Sequence, residues 1–415
     1  MSTADVGTAV DRGAWFRVAV LTFATFAVGT LEFVLAGVLP EFSRSLGVSV
    51  GAAGQTVTVF AVTCAVLAPL LAATTATWHR RAALLLAIGL YLAGVLLTAL
   101  APSFAVVLLG MAVAAAGAGL FIPTASVTAS ALVPPSSRGR AIAAVTIGLT
   151  SATALGAPIG TVVGTLFGWR ATIWFVAALA VLALGCLAAW IPALEGMSPT
   201  SVRQRLAPLT DRRILTVLGT TLATFTAVYI VYTYISVVFE PATGGSGTRL
   251  AVLMFVWGTV GTFGNLAAGA WSDRVGARRV VSTAVAVLAI SFLILPWTTG
   301  TYISALVVIV VYGLAAWAVT APQQHRLITL TPSSAALVVS LNAAFLYLAI
   351  ALSGVIGAVG IEIIGKSHLS YLAAGIAILA LSLSEWAHRQ GSRAPTTSLS
   401  TRAGSNGESP RRCSS

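Results

Sequence analysis

Twelve apolar windows, each long enough to cross a bilayer, run along the 415 residues of this chain. A helix needs about 20 predominantly apolar residues to span the hydrocarbon. Windows of that kind, bounded by charges, prolines or Gly/Ser clusters, lie at approximately 16–39, 51–73, 82–101, 104–128, 140–165, 171–191, 213–238, 249–272, 280–298, 301–321, 335–361 and 368–387. Backbone N–H and C=O groups in hydrocarbon find partners only in a helix or a closed barrel, and segments of this length read as helices. Only 8% of the residues are charged and 58% are hydrophobic, against roughly a quarter charged in a soluble domain. The expected fold is therefore all-α and integral to the membrane.

Basic residues divide sharply between alternate loops. One set of segments carries nineteen of the 23, all arginine, among them Arg12, Arg17, Arg80, Arg81, Arg138, Arg140, Arg274, Arg278, Arg279 and Arg326; the other carries only Arg44, Arg170, Arg249 and Lys366. Because basic loops are retained in the cytoplasm, both termini are expected there, and the net charge of +12 needs no nucleic-acid partner. The preference for Arg over Lys, with heavy use of Ala, Val and Gly, resembles high-GC bacterial coding, so the expected location is the bacterial plasma membrane as a multi-pass protein. Cys64, Cys186 and Cys413 lie far apart with no metal-ligand spacing; neither a disulfide nor a metal site is expected.

The polar stretch from Pro192 to Arg213 divides the helices six and six. The expected organisation is a cytoplasmic segment 1–15, a six-helix bundle 16–191, a cytoplasmic linker 192–212, a second bundle 213–387 and a disordered tail 388–415. Sliding one half over the other by 198 residues places Arg80-Arg81 on Arg278-Arg279 and Leu132-Val133-Pro134 on Leu330-Thr331-Pro332. Two six-helix bundles related by a pseudo-two-fold axis along the membrane normal account for that register.

The loop between the eighth and ninth windows reads Gly269-Ala-Trp-Ser-Asp273-Arg274-Val-Gly276-Ala-Arg278-Arg279. It resembles the loop signature of the major facilitator superfamily. Gly269 is expected to let two helix ends approach, Gly276 to adopt a turn closed to other residues, and Asp273 to meet an arginine or a helix N-terminus as a releasable latch. The equivalent first-half loop has Thr75 in place of the acid, which leaves any contact there to Thr75 or His79. In the fifth window, Gly156, Pro158, Gly160 and Gly164 lie in the run Gly148-Leu-Thr-Ser-Ala-Thr-Ala-Leu-Gly156-Ala-Pro158-Ile-Gly160-Thr-Val-Val-Gly164. Glycines four apart make a smooth packing face, with Gly258, Gly261 and Gly264 of the eighth window as the expected partner face, and Pro158 bends the helix. The Gly-x-Pro-x-Gly core resembles the signature of the superfamily's antiporters. The first helix, Gly29-Thr-Leu-Glu32-Phe33-Val-Leu-Ala-Gly37-Val-Leu-Pro40, is similar to the start of bacterial twelve-helix drug:proton antiporters, including chloramphenicol-resistance and arabinose-efflux-like permeases.

Glu32 is the acidic residue well inside a span. A carboxylate in hydrocarbon is costly unless it is protonated, paired or facing water. Two readings fit it, a protonated packing residue or a proton-coupling site; intramembrane ionisable residues are functional by default, and coupling is the reading taken. Family members usually carry an arginine in the fourth helix, where this chain has Met111, and that departure keeps a facilitator or another ion route open. The resemblance also implies a central cavity lined by helices 1, 4, 7 and 10. Phe26, Phe33, Phe121, Tyr229, Tyr232 and Trp317 are the candidate substrate contacts, with Phe23, Tyr234 and Tyr312 beside them. Asn265 and Asn342 are expected to bond between helices.

No Gly-x-x-x-x-Gly-Lys-Ser/Thr loop is present, and the four histidines, His79, His325, His368 and His388, are scattered over different loops, which argues against a membrane enzyme. The resemblance implies a secondary transporter that exports a small organic compound, drug or antibiotic-like, by proton antiport with alternating access. Its expected partners are that substrate, protons and membrane lipid, with no cofactor and one chain as the functional unit. The alternative is an uptake symporter or facilitator for a sugar, nucleobase or other small metabolite.

Overall fold

The computed structural model describes residues 3–195, 207–331 and 335–391. The middle of the expected linker (196–206), Pro332 of the repeat and the expected tail beyond 391 lie outside the described residues. Twelve helices among the described residues are long and apolar enough to cross a membrane: Arg12–Gly37 (α1), Val50–Thr74 (α2), Arg80–Ala99 (α3), Phe104–Leu132 (α4), Pro135–Phe167 (α5), Trp169–Trp190 (α6), Arg212–Thr233 (α7), Gly247–Val275 (α8), Ala277–Thr298 (α9), Tyr302–Leu330 (α10), Leu337–Ile364 (α11) and Lys366–Trp386 (α12). No strand occurs among the described residues.

Local chemistry sets the helix ends. Ser49, Asp211, Ser246 and Thr301 each accept a backbone N–H two or three residues on, capping α2, α7, α8 and α10. The turn from α8 to α9 is a single residue, Gly276, at φ +87°, which a side chain would strain; this is the turn the sequence predicts. Two boundaries differ from expectation. α7 ends at Thr233, and Tyr234 breaks the chain direction before a short helix Ile235–Val238. α10 continues to Leu330 through Gln323 and Arg326, because Pro322 falls in the first turn of its second segment, where a missing N–H costs little.

In α5 the helix widens to a π turn at Ala152–Gly156. Pro158 supplies the cause: its ring crowds the carbonyl four residues back and it donates no hydrogen bond, and the wider turn accommodates both. The glycine face that follows does not pack on α8 as expected. A Cβ at Gly156 would meet Thr30, at Gly160 Val34, and at Gly164 Thr172 and Val38, so the face serves α1 and α6. Of the expected partner glycines, Gly258 alone approaches α5, at Thr153–Ala154, while Gly261 and Gly264 receive Trp317 and Leu314 of α10.

The first six helices pack on one another, as do the last six, and two seams join the sets, α2 on α11 and α5 on α8. One end of the assembly carries the arginine-poor loops and the other the arginine-rich ones. Five hydrogen bonds cross between the bundles among the described residues: Gln55 to Gly354, Thr58 to Ala351, Thr161 to Met254, Tyr232 to Phe33 and Tyr347 to Glu32. All lie at mid-span or toward the arginine-poor end, so that end is closed.

Tyr234 completes the closure. Its ring is fully buried and its hydroxyl donates to the Gly354 carbonyl at 2.7 Å. A Cβ at Gly54 of α2 or at Gly357 of α11 would overlap this ring, and one at Gly354 would overlap Thr58. The slot exists only because three glycines face one another across the seam. Gly54→Ala and Gly357→Ala are expected to disfavour closure by ~1–3 kcal/mol, the usual cost of overpacking. Alkylation of Cys64, 1% exposed on α2, followed by mass spectrometry on the purified protein, should then speed up about tenfold; unchanged rates would show that the slot does not govern closure.

Candidate functional site

Glu32 lies on the α1 face that looks toward the second bundle. Tyr347 of α11 places its hydroxyl 3.5 Å from Glu32 Oε2, the outer limit of a hydrogen bond. Tyr91 of α3, Cys64 of α2, and Tyr229 and Tyr232 of α7 are within electrostatic reach of the carboxylate. No ion pair among the described residues involves Glu32. Met111 is fully buried in α4 and offers no cation. The site is thus a single carboxyl group set among hydroxyls at the boundary between bundles.

One residue on, an aromatic chain starts. Phe33 meets Tyr232 edge-on at 6.1 Å, and the Phe33 carbonyl accepts the Tyr232 hydroxyl at 3.3 Å. Tyr232 in turn contacts Tyr229 at 6.0 Å and Trp257 at 4.3 Å, and Trp257 reaches Tyr312 and Trp317 at 5.8 and 5.7 Å. Tyr312 is anchored by donation to the Val228 carbonyl at 2.7 Å. The structure therefore gathers Phe33, Tyr229, Tyr232 and Trp317 of the expected contacts into one cluster. Phe121 is buried in α4 without a ring partner among the described residues, and Phe26 stands apart, stacked with Phe23 at 6.4 Å in a groove between α1 and α5.

Two members of this site escaped the sequence reading. Trp257 is the hub of the cluster, and its one signal was its depth: tryptophan favours the membrane interface, and this one is mid-span. Tyr347 had no signal, since only the α2–α11 seam brings it to Glu32. The indole N–H of Trp317 and the Asn265 side-chain oxygen are buried without a hydrogen-bond partner among the described residues.

At the arginine-rich end, the contact expected of Asp273 is not formed among the described residues. Asp273, Arg274 and Arg279 are exposed. Gly269 has open space, its nearest neighbour to a Cβ being Ala321 at 4.0 Å, so the close helix approach expected of it is absent. Arg278 instead pairs with Glu385 of α12, which also accepts from Ser282 at 2.6 Å. Thr75 bonds to the Leu71 carbonyl of its own helix, and the first-half loop is held by Arg80, donating to Val127 and Glu195 carbonyls at 2.8 and 3.1 Å.

Below the aromatic cluster a polar network ties the second bundle together. Arg326 donates to Gln323 Oε1 at 2.9 Å; Gln323 Nε2 donates to the Val217 carbonyl and Thr221, both at 3.1 Å; Thr221 donates to Asn342 Oδ1 at 2.9 Å. Asn342 thus bonds between helices as expected. Gln323→Leu removes the bonds Gln323 makes to Arg326, Thr221 and the Val217 carbonyl, and thermal unfolding in detergent should report a loss of ~1–3 kcal/mol, against a smaller loss for Thr221→Val.

Residues 21–354 match the family model described as Major Facilitator Superfamily. The chain is 27% identical over 359 residues to the MFS-type transporter YbcL of Bacillus subtilis, covering 86% of this chain and 92% of that protein. It is 37% identical over 259 residues to a chloramphenicol resistance protein of Streptomyces lividans, covering 61% of this chain and 66% of that protein. Among solved structures it resembles the nucleoside transporter NupG with a TM-score of 0.74 at 12% identity, covering 90% of this chain and 99% of that one.

Proposed function

The chain belongs to the Major Facilitator Superfamily, a multi-pass membrane transporter and not an enzyme, and on that premise we propose that it exports a small organic compound from the bacterial cell in exchange for protons. The observation that carries this reading is Glu32, an ionisable side chain at the boundary between bundles, with a hydroxyl and no cation facing it across the boundary. Support comes also from the antiporter-like core Gly156-Ala-Pro158-Ile-Gly160 and from the chloramphenicol resistance relative.

In this reading the arginine-rich end faces the cytoplasm, as the positive-inside rule expects, and the closed end faces outward. In this reading substrate enters from the cytoplasm and meets Phe33, Tyr229, Tyr232, Trp257 and Trp317, flat surfaces with a few hydrogen-bonding edges suited to an uncharged or amphipathic aromatic molecule. Rocking of the bundles opens the arginine-poor end, where substrate leaves and a proton binds Glu32. A neutral Glu32 returns between the bundles without the cost of a buried charge, and gives up its proton to the cytoplasm. Each ligand shifts the equilibrium only by its differential affinity for the two states.

Uptake or facilitated passage of a metabolite is the second reading, favoured by Met111 in place of an arginine and by the likeness to a nucleoside transporter. Inside-out vesicles carrying a proton gradient separate the two. Antiport predicts that one compound class collapses the gradient, and that Glu32→Gln, whose amide has no proton to exchange, abolishes this flux. Substrate movement without proton flux, or wild-type coupling in Glu32→Gln, would sink the antiport reading.

A further inference from the structure

A groove of about 380 Å³ runs between the arginine-rich halves of α1 and α5, walled by Trp15, Phe23, Phe26, Ala144 and Leu155 among others, with no ionisable side chain in its lining. It lies apart from the aromatic cluster around Tyr232. Its outer wall shows which way it opens. Leu155, Ile159 and Leu166 lie on one face of α5 and are all exposed, and the last two stand toward the arginine-poor end, where the bundle interior is closed. That face therefore meets hydrocarbon, and the groove opens onto the membrane.

Length and charge identify the occupant. From Trp15 to Phe26 the groove follows α1 for about 16 Å at 1.5 Å per residue, matching one leaflet of a hydrocarbon core about 30 Å thick. Its lower end lies at the interfacial level, where Trp15 lines it and Phe16 packs edge-on against Trp190 at 5.3 Å. There the Arg140 guanidinium sits over the Trp15 ring, 5.3 Å from its centroid, and Arg12 stands one helical turn before Trp15. Arg17 and Arg138 flank them. All four are exposed and none makes an ion pair among the described residues.

An apolar slot one leaflet deep, with four exposed arginines at its mouth, is complementary to an amphiphile with an anionic head. We propose that it binds an anionic phospholipid of the leaflet at the arginine-rich end, one acyl chain lying along Phe23, Phe26 and Leu155 and the phosphate held by Arg140 and Arg12. Each arginine near an anionic headgroup adds to the attraction, and the chain supplies what a free anion lacks. Because Gly148 and Ser151 also line the groove, the lipid seats directly on the α1–α5 contact, where a Cβ at Gly148 would overlap the Thr22 carbonyl. Bound lipid then stabilises the first bundle whatever the protein transports.

Native mass spectrometry and thermal unfolding of the full-length protein in detergent test this, with phosphatidylglycerol, phosphatidylcholine of the same chains, and glycerol 3-phosphate added separately. Phosphatidylglycerol should be retained and raise Tm by a few degrees; phosphatidylcholine should do so weakly, and glycerol 3-phosphate not at all. The double variant Arg12→Gln/Arg140→Gln should cut phosphatidylglycerol retention about tenfold or more. Ala144→Phe, which fills the slot and leaves the charges, should cut it as well. Equal effects of the two lipids would overturn the role of charge, an effect of glycerol 3-phosphate would make this a free-anion site, and undiminished retention in the arginine variant would place the lipid elsewhere.

Discussion

Two helices in hydrocarbon gain nothing from hiding apolar side chains from each other, because lipid tails are as apolar as leucine; close backbone approach and a few polar contacts must hold them together. The boundary between the bundles obeys that constraint throughout. At α2 and α11, glycines 54, 354 and 357 bring backbones near enough for Tyr234 to bridge them, and Tyr232 and Thr233, its neighbours in the chain, bond to α1 and α11. At α5 and α8 the same is done by Gly258 and the π turn. A boundary held by a few directed hydrogen bonds and close backbone approaches is specific in register, and it can part where those contacts are released.

Within each bundle the contacts are denser, and their placement suits bodies that move as units. The second bundle is pinned near its arginine-rich end by the chain from Arg326 through Gln323 and Thr221 to Asn342, and by the ion pair of Arg278 with Glu385. The first is pinned at the matching position by Arg80 and Arg81, which donate to carbonyls of α4, α6 and the residues after α6. The paired arginines that betray the internal repeat thus hold each bundle's own helix ends, through a carboxylate in one half and through carbonyls in the other.

Much of this was legible in the sequence, for a physical reason: the bilayer requires about 20 apolar residues per crossing, and that requirement is written locally. The twelve spans follow from it, whereas the turn at Gly276 was read from the loop motif and the aromatic candidates Phe33, Tyr229, Tyr232 and Trp317 from the family resemblance. What failed depends on neighbours distant in sequence. The Gln323-Gln-His-Arg326 stretch reads as a polar loop, yet it is helical because α7 and α12 satisfy its side chains. The glycine face of α5 looked ready for α8, but such a face states only that something approaches closely, and α1 does. Glu32 was visible as a rare charge; its partner Tyr347 becomes its neighbour only when α2 meets α11.

The π turn in α5 has a consequence for heredity as well as for shape. A wide turn is one residue more than an α-helix requires, so the two halves of α5 are out of phase by about 100°. A deletion of one codon anywhere in 152–155 would leave a reading frame and a plausible membrane helix intact. It would also rotate Ala144, Gly148 and Ser151 away from α1 while leaving the glycine face above them in place. Among relatives of this chain, insertions and deletions should therefore be excluded from this short stretch far more strictly than substitutions are.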